Sequence, residues 1–301
     1  MIFVLRVLIY FICCITCAAY MSLLERKLIA KIQLRVGPNN CGILGTLQPI
    51  ADALKLLFKR SPLIGHSKQS IFGVCLLFTA ALTQLTLIPI SNDVFNPRHE
   101  LLLIILCHGI MAFSEILIGT SSKSKYGIIG GNRAFLQLLG GHIPFVLSII
   151  VIMPLSNSMN LSDFINLEKD FSFIIKCIPL AVTFFIVLLI TGNRTPFDLT
   201  EAESELVGGA YVEYGGILFA MIYLSDYLNL LFISALTATL FLGGYGSGYL
   251  FSPLFGLILK TFLIMCFIIL IRAILPRYTQ DQMIKISWTI LIPILFIYII
   301  F

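Results

Sequence analysis

The sequence predicts an all-α polytopic membrane protein: a single transmembrane domain over 1–301, with about eight transmembrane helices and amphipathic helices at the interface. Two observations carry this. Hydrophobic residues make up 58% of the chain and charged residues only 12%, against roughly 25% charge in soluble domains. Mean hydropathy is +1.00, more apolar surface than a water-soluble fold of this length can hide. The apolar residues also fall in continuous runs rather than alternating, which favours spanning helices over a barrel.

Taken in order, the runs predict spans at 2–23, 70–90, 101–119, 134–155, 177–191, 214–235, 253–275 and 284–301, each close to the ~20 residues that cross a bilayer. The fifth is short. It begins nearer Phe171 or continues as helix into the segment that follows. The first connection opens with Glu25-Arg26-Lys27 and turns at Val36-Gly37-Pro38-Asn39-Asn40. It then becomes amphipathic over 44–58, with Leu47, Ile50, Ala51, Leu54 and Phe58 on one face and Asp52, Lys55 and Lys59 largely on the other. Pro49 suits an early helical position there, so a helix lying in the interface is expected. The connection 120–131 is rich in Gly, Ser and Lys and reads as a loop. The connection between spans four and five, with Asp163, Glu168, Lys169 and Asp170, reads as a polar cap. The glycines over 243–248 read as a flexible connection, since they follow no strand that would make them a phosphate cradle.

The net charge of +5 is a topology signal and not a nucleic-acid one. Alternate connections on one side hold fifteen basic residues, including Arg26, Arg60, Lys123, Arg194 and Arg277, while the opposite connections hold only Arg98, Lys169 and Lys176. That asymmetry places the first set on the cytoplasm-equivalent side and both termini on the other. The first span starts at residue 2 with no basic n-region or cleavage site, and no transit segment precedes it. This predicts insertion where the chain is made, in a bacterium or an organelle with its own ribosomes. The eight cysteines include the C-x-x-C pair Cys14 and Cys17 but have no second pair or nearby histidines, and read as packing residues rather than metal ligands. No cluster-binding cysteine run, haem attachment motif or dinucleotide fingerprint is present.

The most informative stretch is 193–207, NRTPFDLTEAESELV, which sets Asp198, Glu201, Glu203 and Glu205 between two apolar runs. Carboxylates beside hydrocarbon are costly unless they line a polar cavity. Glu115, Asp226 and Lys260 lie inside predicted spans, with His108 and His142 beside them. Together with the acidic loop they predict a polar axis through the bundle, suited to proton movement.

This acidic segment, followed by Val212-Glu213-Tyr214, closely resembles the signature of the NADH dehydrogenase subunit 1 family, the quinone-chamber membrane subunit of respiratory complex I. Glu25-Arg26-Lys27, QLRVGPN over 33–39, LQPIADALKL over 47–56, YGIIGGNR over 126–133, Lys260, Arg272, Leu275-Pro276-Arg277-Tyr278 and Trp288 match in order, so the resemblance covers about 20–290. It implies a chain without a redox centre that helps reduce ubiquinone as substrate, NAD, FMN and iron–sulfur clusters being carried by partner subunits. Those partners are the peripheral-arm quinone-module subunits and the antiporter-like membrane subunits, in the mitochondrial inner membrane or a bacterial inner membrane. By the resemblance, Arg26, Arg35 and Asp52 line the access side of a quinone chamber, and Arg194 and Asp198 lie beneath the headgroup with Glu201, Glu203 and Glu205. Glu213, Asp226, Lys260 and Arg272 extend a charged, proton-coupling route.

The chain departs from the family pattern at several places. His142 and Thr191 stand where the family usually has glutamates, and Glu115 stands where an apolar residue is expected. These departures predict that Glu115 and His142 pair and relocate a missing carboxylate. Gly215-Gly216-Ile217-Leu218 also differs from the family at the start of the sixth span. Two other readings remain open at this level: a related hydrogenase or formate-linked complex sharing the same heel fold, and a stand-alone ion transporter, against which the lack of internal repeats argues.

Overall fold

The computed structural model describes residues 2–59, 68–89, 97–156, 158–168, 172–201, 203–246 and 252–300. Arg60, residue 90 at the end of the second predicted span, Lys169, Asp170, Phe171, Gly248 and residue 301 lie outside these. Among the described residues every regular element is helical.

Helix α1, Ile2–Ile32, runs on past the expected end of the first span. Glu25, Arg26, Lys27 and Lys31 are sound helix formers, and no glycine or proline intervenes before Gly37-Pro38. At 1.5 Å per residue the helix is ~46 Å long, well over the ~30 Å hydrocarbon core, so its charged last turns project beyond it. The amphipathic helix, α2, occupies Gln48–Phe58 with Pro49 in its first turn. It starts later than 44 because Leu44 takes a left-handed conformation inside a separate 3-10 turn, Ile43–Gly45. Its apolar residues Leu47, Ile50, Leu54 and Phe58 are exposed, as an interfacial helix requires.

Helices α3, Lys68–Thr86, and α4, Glu100–Ser121, form an antiparallel hairpin. The expected loop at 120–131 is instead mostly helix. Ser124 caps α5, Lys125–Gln137, by accepting from Gly127 N at 3.0 Å, and α5 continues through a π-helical turn, Leu138–His142, into α6, Ile143–Ser156. The glycines of 120–131, and Gly119 just before them, serve close packing. A Cβ on Gly119 would lie 2.4 Å from Gly131 Cα, and one on Gly130 would lie 2.3 Å from Ala210 N. These contacts let α4 and α5 cross at backbone distance and press α5 against the end of the acidic loop.

Short helices α7, Leu161–Leu167, and α8, Phe173–Lys176, precede α9, Ile178–Thr191, the short fifth span. The acidic segment holds a single turn, α10, Glu203–Leu206. Helix α11, Gly216–Phe241, extends six residues beyond the predicted 235. Helix α12, Pro253–Ile274, follows, and then α13, Gln280–Ile286, opened by a Thr279/Gln282 capping box. A second π-helical turn, Ser287–Leu291, leads into α14, Ile292–Ile300. Seven of these helices or continuous helical rods are long and apolar enough to cross a membrane, and α9 is a shorter apolar one. The core sits where α6, α9 and α11 meet, with Phe145, Phe184 and Phe232 fully buried. All eight cysteines are free thiols.

Candidate functional site

The acidic loop is held by backbone contacts before its side chains act. Gln137 Nε2 donates to Ile190 O at 2.6 Å and Phe197 O at 3.0 Å. Tyr278 N donates to Pro196 O at 2.9 Å, and Arg277 pairs with the buried Asp198 carboxylate at 2.7 Å. The loop is thus pinned between α5 and the α12–α13 link. Asp226, ten residues into α11, has Glu201, Arg194, Glu115 and Asp198 as charged neighbours. The Tyr211 hydroxyl is buried among Asp226, Glu115, Glu201 and Asp198 without a hydrogen-bond partner. Burial first, and then those carboxylates, push its phenol well above the ordinary value, so it keeps its proton.

A second cluster centres on Glu25, which is 3% exposed. Arg272 donates to its Oε1, Tyr227 donates to Oε2 at 2.7 Å, and Arg194 stands 3.7 Å away. Arg194 also lies over the Tyr227 ring, 4.9 Å from its centroid, and donates to the Asp226 carbonyl at 3.3 Å. Burial lowers the basicity of Arg194, but Glu25, Tyr227, Asp226 and Glu201 outweigh it and hold the guanidinium above its ordinary value. One permanently charged side chain therefore joins the Glu25 cluster to the acidic loop. Sequence reasoning assigns no site role to Glu25 or Tyr227. A carboxylate at a span end facing two isolated arginines elsewhere in the chain is the available signal.

Two cavities adjoin this cluster. One, of about 390 Å³, is lined by Glu25, Arg26, Arg35, Tyr223, Tyr227 and Arg272. The other, of about 340 Å³, lies among α1, α2 and α11 and is lined mostly by apolar groups, including Ala18, Ala53, Leu56, Phe219 and Ala220. They share Arg26, Tyr223 and Tyr227. Arg26 pairs with Asp52 at 2.8 Å and reaches Tyr223 at 3.4 Å, so α2 is fastened to α1 and α11 at their boundary. The arrangement suits a molecule with a polar head and an apolar tail.

A small cavity of about 20 Å³ adjoins the acidic loop on the other side, lined by His108, Glu115, Gln137, His142, Thr191, Asn193 and Asn229 among others. Glu115 is buried on α4 beside Asn193. His142 lies in the π-helical turn with its ring 5.9 Å from that of His108, which Gln84 meets at 3.3 Å. Glu115 and His142 share this cavity, but no ion pair joins them among the described residues. The expected direct pairing is therefore not what the fold builds: the two side chains approach from α4 and from the turn with the cavity between them.

Other candidates lie apart. Glu205, 58% exposed, pairs with Arg133 at 2.6 Å, a surface contact of small energetic consequence. The exposed Glu213 accepts from Lys123 N at 3.1 Å, tying the loop to the α4–α5 link. Glu203 opens α10. Lys260 is not beside Asp226. Its Nζ donates to Leu242 O and Gly244 O, carbonyls just past the end of α11. Glu168 accepts there from Phe173 N at 2.6 Å and from Gly243 N. The segment expected to be a polar cap therefore buries a carboxylate. Burial pushes Glu168 up to about 7, against the opposing pull of those N–H groups and of Lys260 and Lys176.

Seven long apolar helical segments and a shorter eighth among the described residues, packed around buried charged pairs, define a polytopic membrane protein. The family described as NADH dehydrogenase matches residues 5–301. The H subunit of the NADH-quinone oxidoreductase of Rickettsia prowazekii is 38% identical over 93% of this chain and 86% of that protein. Its counterpart in Magnetococcus marinus is 34% identical over 92% and 83%, and that in Orientia tsutsugamushi strain Boryong 36% over 98% and 87%. The chain belongs to the NADH dehydrogenase family, as a membrane subunit of complex I type.

Proposed function

We propose that this chain builds the quinone-access chamber and the first stretch of the charged axis in a proton-pumping NADH:ubiquinone oxidoreductase. The observation that carries the reading is the pair of adjoining cavities sharing Arg26, Tyr223 and Tyr227. An isoprenoid tail takes the apolar cavity among α1, α2 and α11, while the headgroup passes the Glu25 and Arg272 end toward Arg194 and Asp198. NAD, FMN and iron–sulfur clusters belong to partner subunits, and electrons reach the headgroup from the peripheral-arm quinone module.

Reduction of the headgroup to quinol takes up two electrons and two protons, and the local charge changes until the protons arrive. Closely spaced carboxylates respond by shifting protonation. Glu201 and Asp226, joined through Arg194, and Asp198, a charged neighbour of Asp226, are placed to do so, and Glu115 with His142 carries the change toward the antiporter-like subunits. Glu205, Glu213, Glu203 and Arg272 flank this route, whereas Lys260 serves the far end of the bundle. The basic connections face the mitochondrial matrix or bacterial cytoplasm, with both termini on the other side.

Ala220→Trp tests the chamber, because Ala220 lines the apolar cavity and an indole there fills it. The apparent KM should rise several-fold for long-tailed quinones and little for short-tailed ones. Equal effects on both would remove the tail from this cavity.

A further inference from the structure

Three buried polar atoms without a hydrogen-bond partner, Gln137 Oε1, His142 Nδ1 and Asn229 Oδ1, belong to side chains that line one cavity, the small one between α4, the π-helical turn and α11. Native interiors leave few such groups unsatisfied, and each calls for a ligand, an ion or a water. Their orientation is set by neighbours. Gln137 spends both amide hydrogens on Ile190 O and Phe197 O, so its oxygen is the atom left over. The His142 ring is flanked by His108 at 5.9 Å and Phe145 at 6.1 Å. Its Nε2 lies close to Gly109, where even a methyl group would come within 3.2 Å. His142 is carried by a π-helical turn, a feature frequent at functional sites.

We infer that this cavity is a binding site for a single water molecule, and that the water joins Glu115 to His142. The two amide oxygens can only accept, and water is the smallest neutral molecule that brings two donors. The volume of about 20 Å³ exceeds the ~10–15 Å³ that one water needs. The two hydrogens go to Gln137 Oε1 and Asn229 Oδ1. One lone pair accepts from His142 Nδ1–H, and the other is left for Glu115, which lines the same cavity and donates to it whenever its carboxyl holds a proton. All three orphaned atoms are then satisfied and the water uses its full valence. His142 is thereby held as the Nδ1–H tautomer, with the Nε2 lone pair turned toward Gly109 on α4. A hard monovalent cation is the competing occupant. It would suit the amide oxygens but not the ring nitrogen, which favours softer metals.

The site rests on the three orphaned atoms; its role rests on the proposed reading of Glu115 and His142 as proton-handling groups. The test is a map of the intact complex at a resolution that shows ordered waters, with sodium present and with sodium replaced by choline. One peak at ~2.7–3.2 Å from all three atoms, unchanged by the replacement, is expected. No peak, or a peak that disappears with sodium, overturns the proposal. In Asn229→Leu, a like-branched but bulkier side chain without the acceptor, the peak should vanish, and its survival would also overturn the assignment. If the peak is lost while protons pumped per electron stay unchanged, the water site stands and the proton-handling role of Glu115 and His142 falls. Should that variant fail to assemble, the wild-type map still decides.

Discussion

Arg272 and Glu25, 247 residues apart in sequence, are bonded side chain to side chain. The contact joins the last turn of α12 to the charged end of α1 and lines the more polar of the two adjoining cavities. Glu25 is also the counter-charge of the buried Arg194. Removing one partner of a buried pair strands the other charge, at a cost of about 3–5 kcal/mol. Glu25→Ala should therefore lower the amount of assembled complex in membranes, read on a native gel. Glu25→Gln should assemble better, because the amide oxygen still accepts from Tyr227, but should lose quinone reductase activity. Full activity in Glu25→Gln would remove the carboxylate charge from the chamber's function.

Tyr211 offers a cleaner separation of structure from function. Its hydroxyl is buried without a hydrogen-bond partner, so Tyr211→Phe deletes a group the fold does not satisfy and should leave stability equal or slightly higher. If the phenol transmits charge among Asp226, Glu115, Glu201 and Asp198, protons pumped per electron should nevertheless fall. A variant as stable as the native chain with unchanged stoichiometry would mark Tyr211 as filler.

Glu168 predicts a pH dependence at the other end of the molecule. Its folded-state value of about 7 lies above the ordinary carboxylate value of 4.5. A raised value means that the folded state binds the proton more tightly than the unfolded state. The stabilising contribution is then fully present below about 4.5 and is lost as pH rises through about 7. Thermal inactivation of the detergent-solubilised complex should therefore move to lower temperature between pH 6 and 8, roughly the window spanning that value. In Glu168→Gln, which keeps an acceptor for Phe173 N or Gly243 N, the slope should flatten. An identical slope in both proteins would assign the pH effect to other groups.

The spans and the acidic loop are legible in the sequence, because uninterrupted apolar runs and clustered carboxylates are local signals. Legibility fails where tertiary contact overrules composition. Gly130 and Gly131 read as loop residues, yet they are helical where backbones cross too closely for a Cβ. The end of α1 reads too early because charge ends a membrane span without ending a helix. Lys260 looks axial from its depth in the seventh span, but side-chain direction decides, and its ammonium goes to carbonyls just past the end of α11. Glu25, Tyr227, Tyr211 and Asn229 carry no pattern of their own. Their roles exist only once α1, α11 and the 194–211 loop meet.

Glu115 yields the sharpest functional prediction. His142 and Thr191 stand where the resemblance leads one to expect glutamates, and the fold brings both to the cavity that Glu115 also lines. Glu115→Gln keeps the shape and a partner for Asn193, so assembly should be retained. If the carboxylate has been relocated to α4, quinone-coupled proton pumping should fall on the order of tenfold or more, the usual scale for losing a positioned proton-transfer group. NADH oxidation by artificial acceptors, which draw electrons before the membrane arm, should continue. Combining Glu115→Gln with His142→Glu returns a carboxylate to the same cavity from the neighbouring wall. Pumping should then recover well above the single variant, although the pocket has lost an imidazole. A single variant that pumps normally, or a double variant no better than the single one, would show that Glu115 is a buried carboxyl without a part in the route.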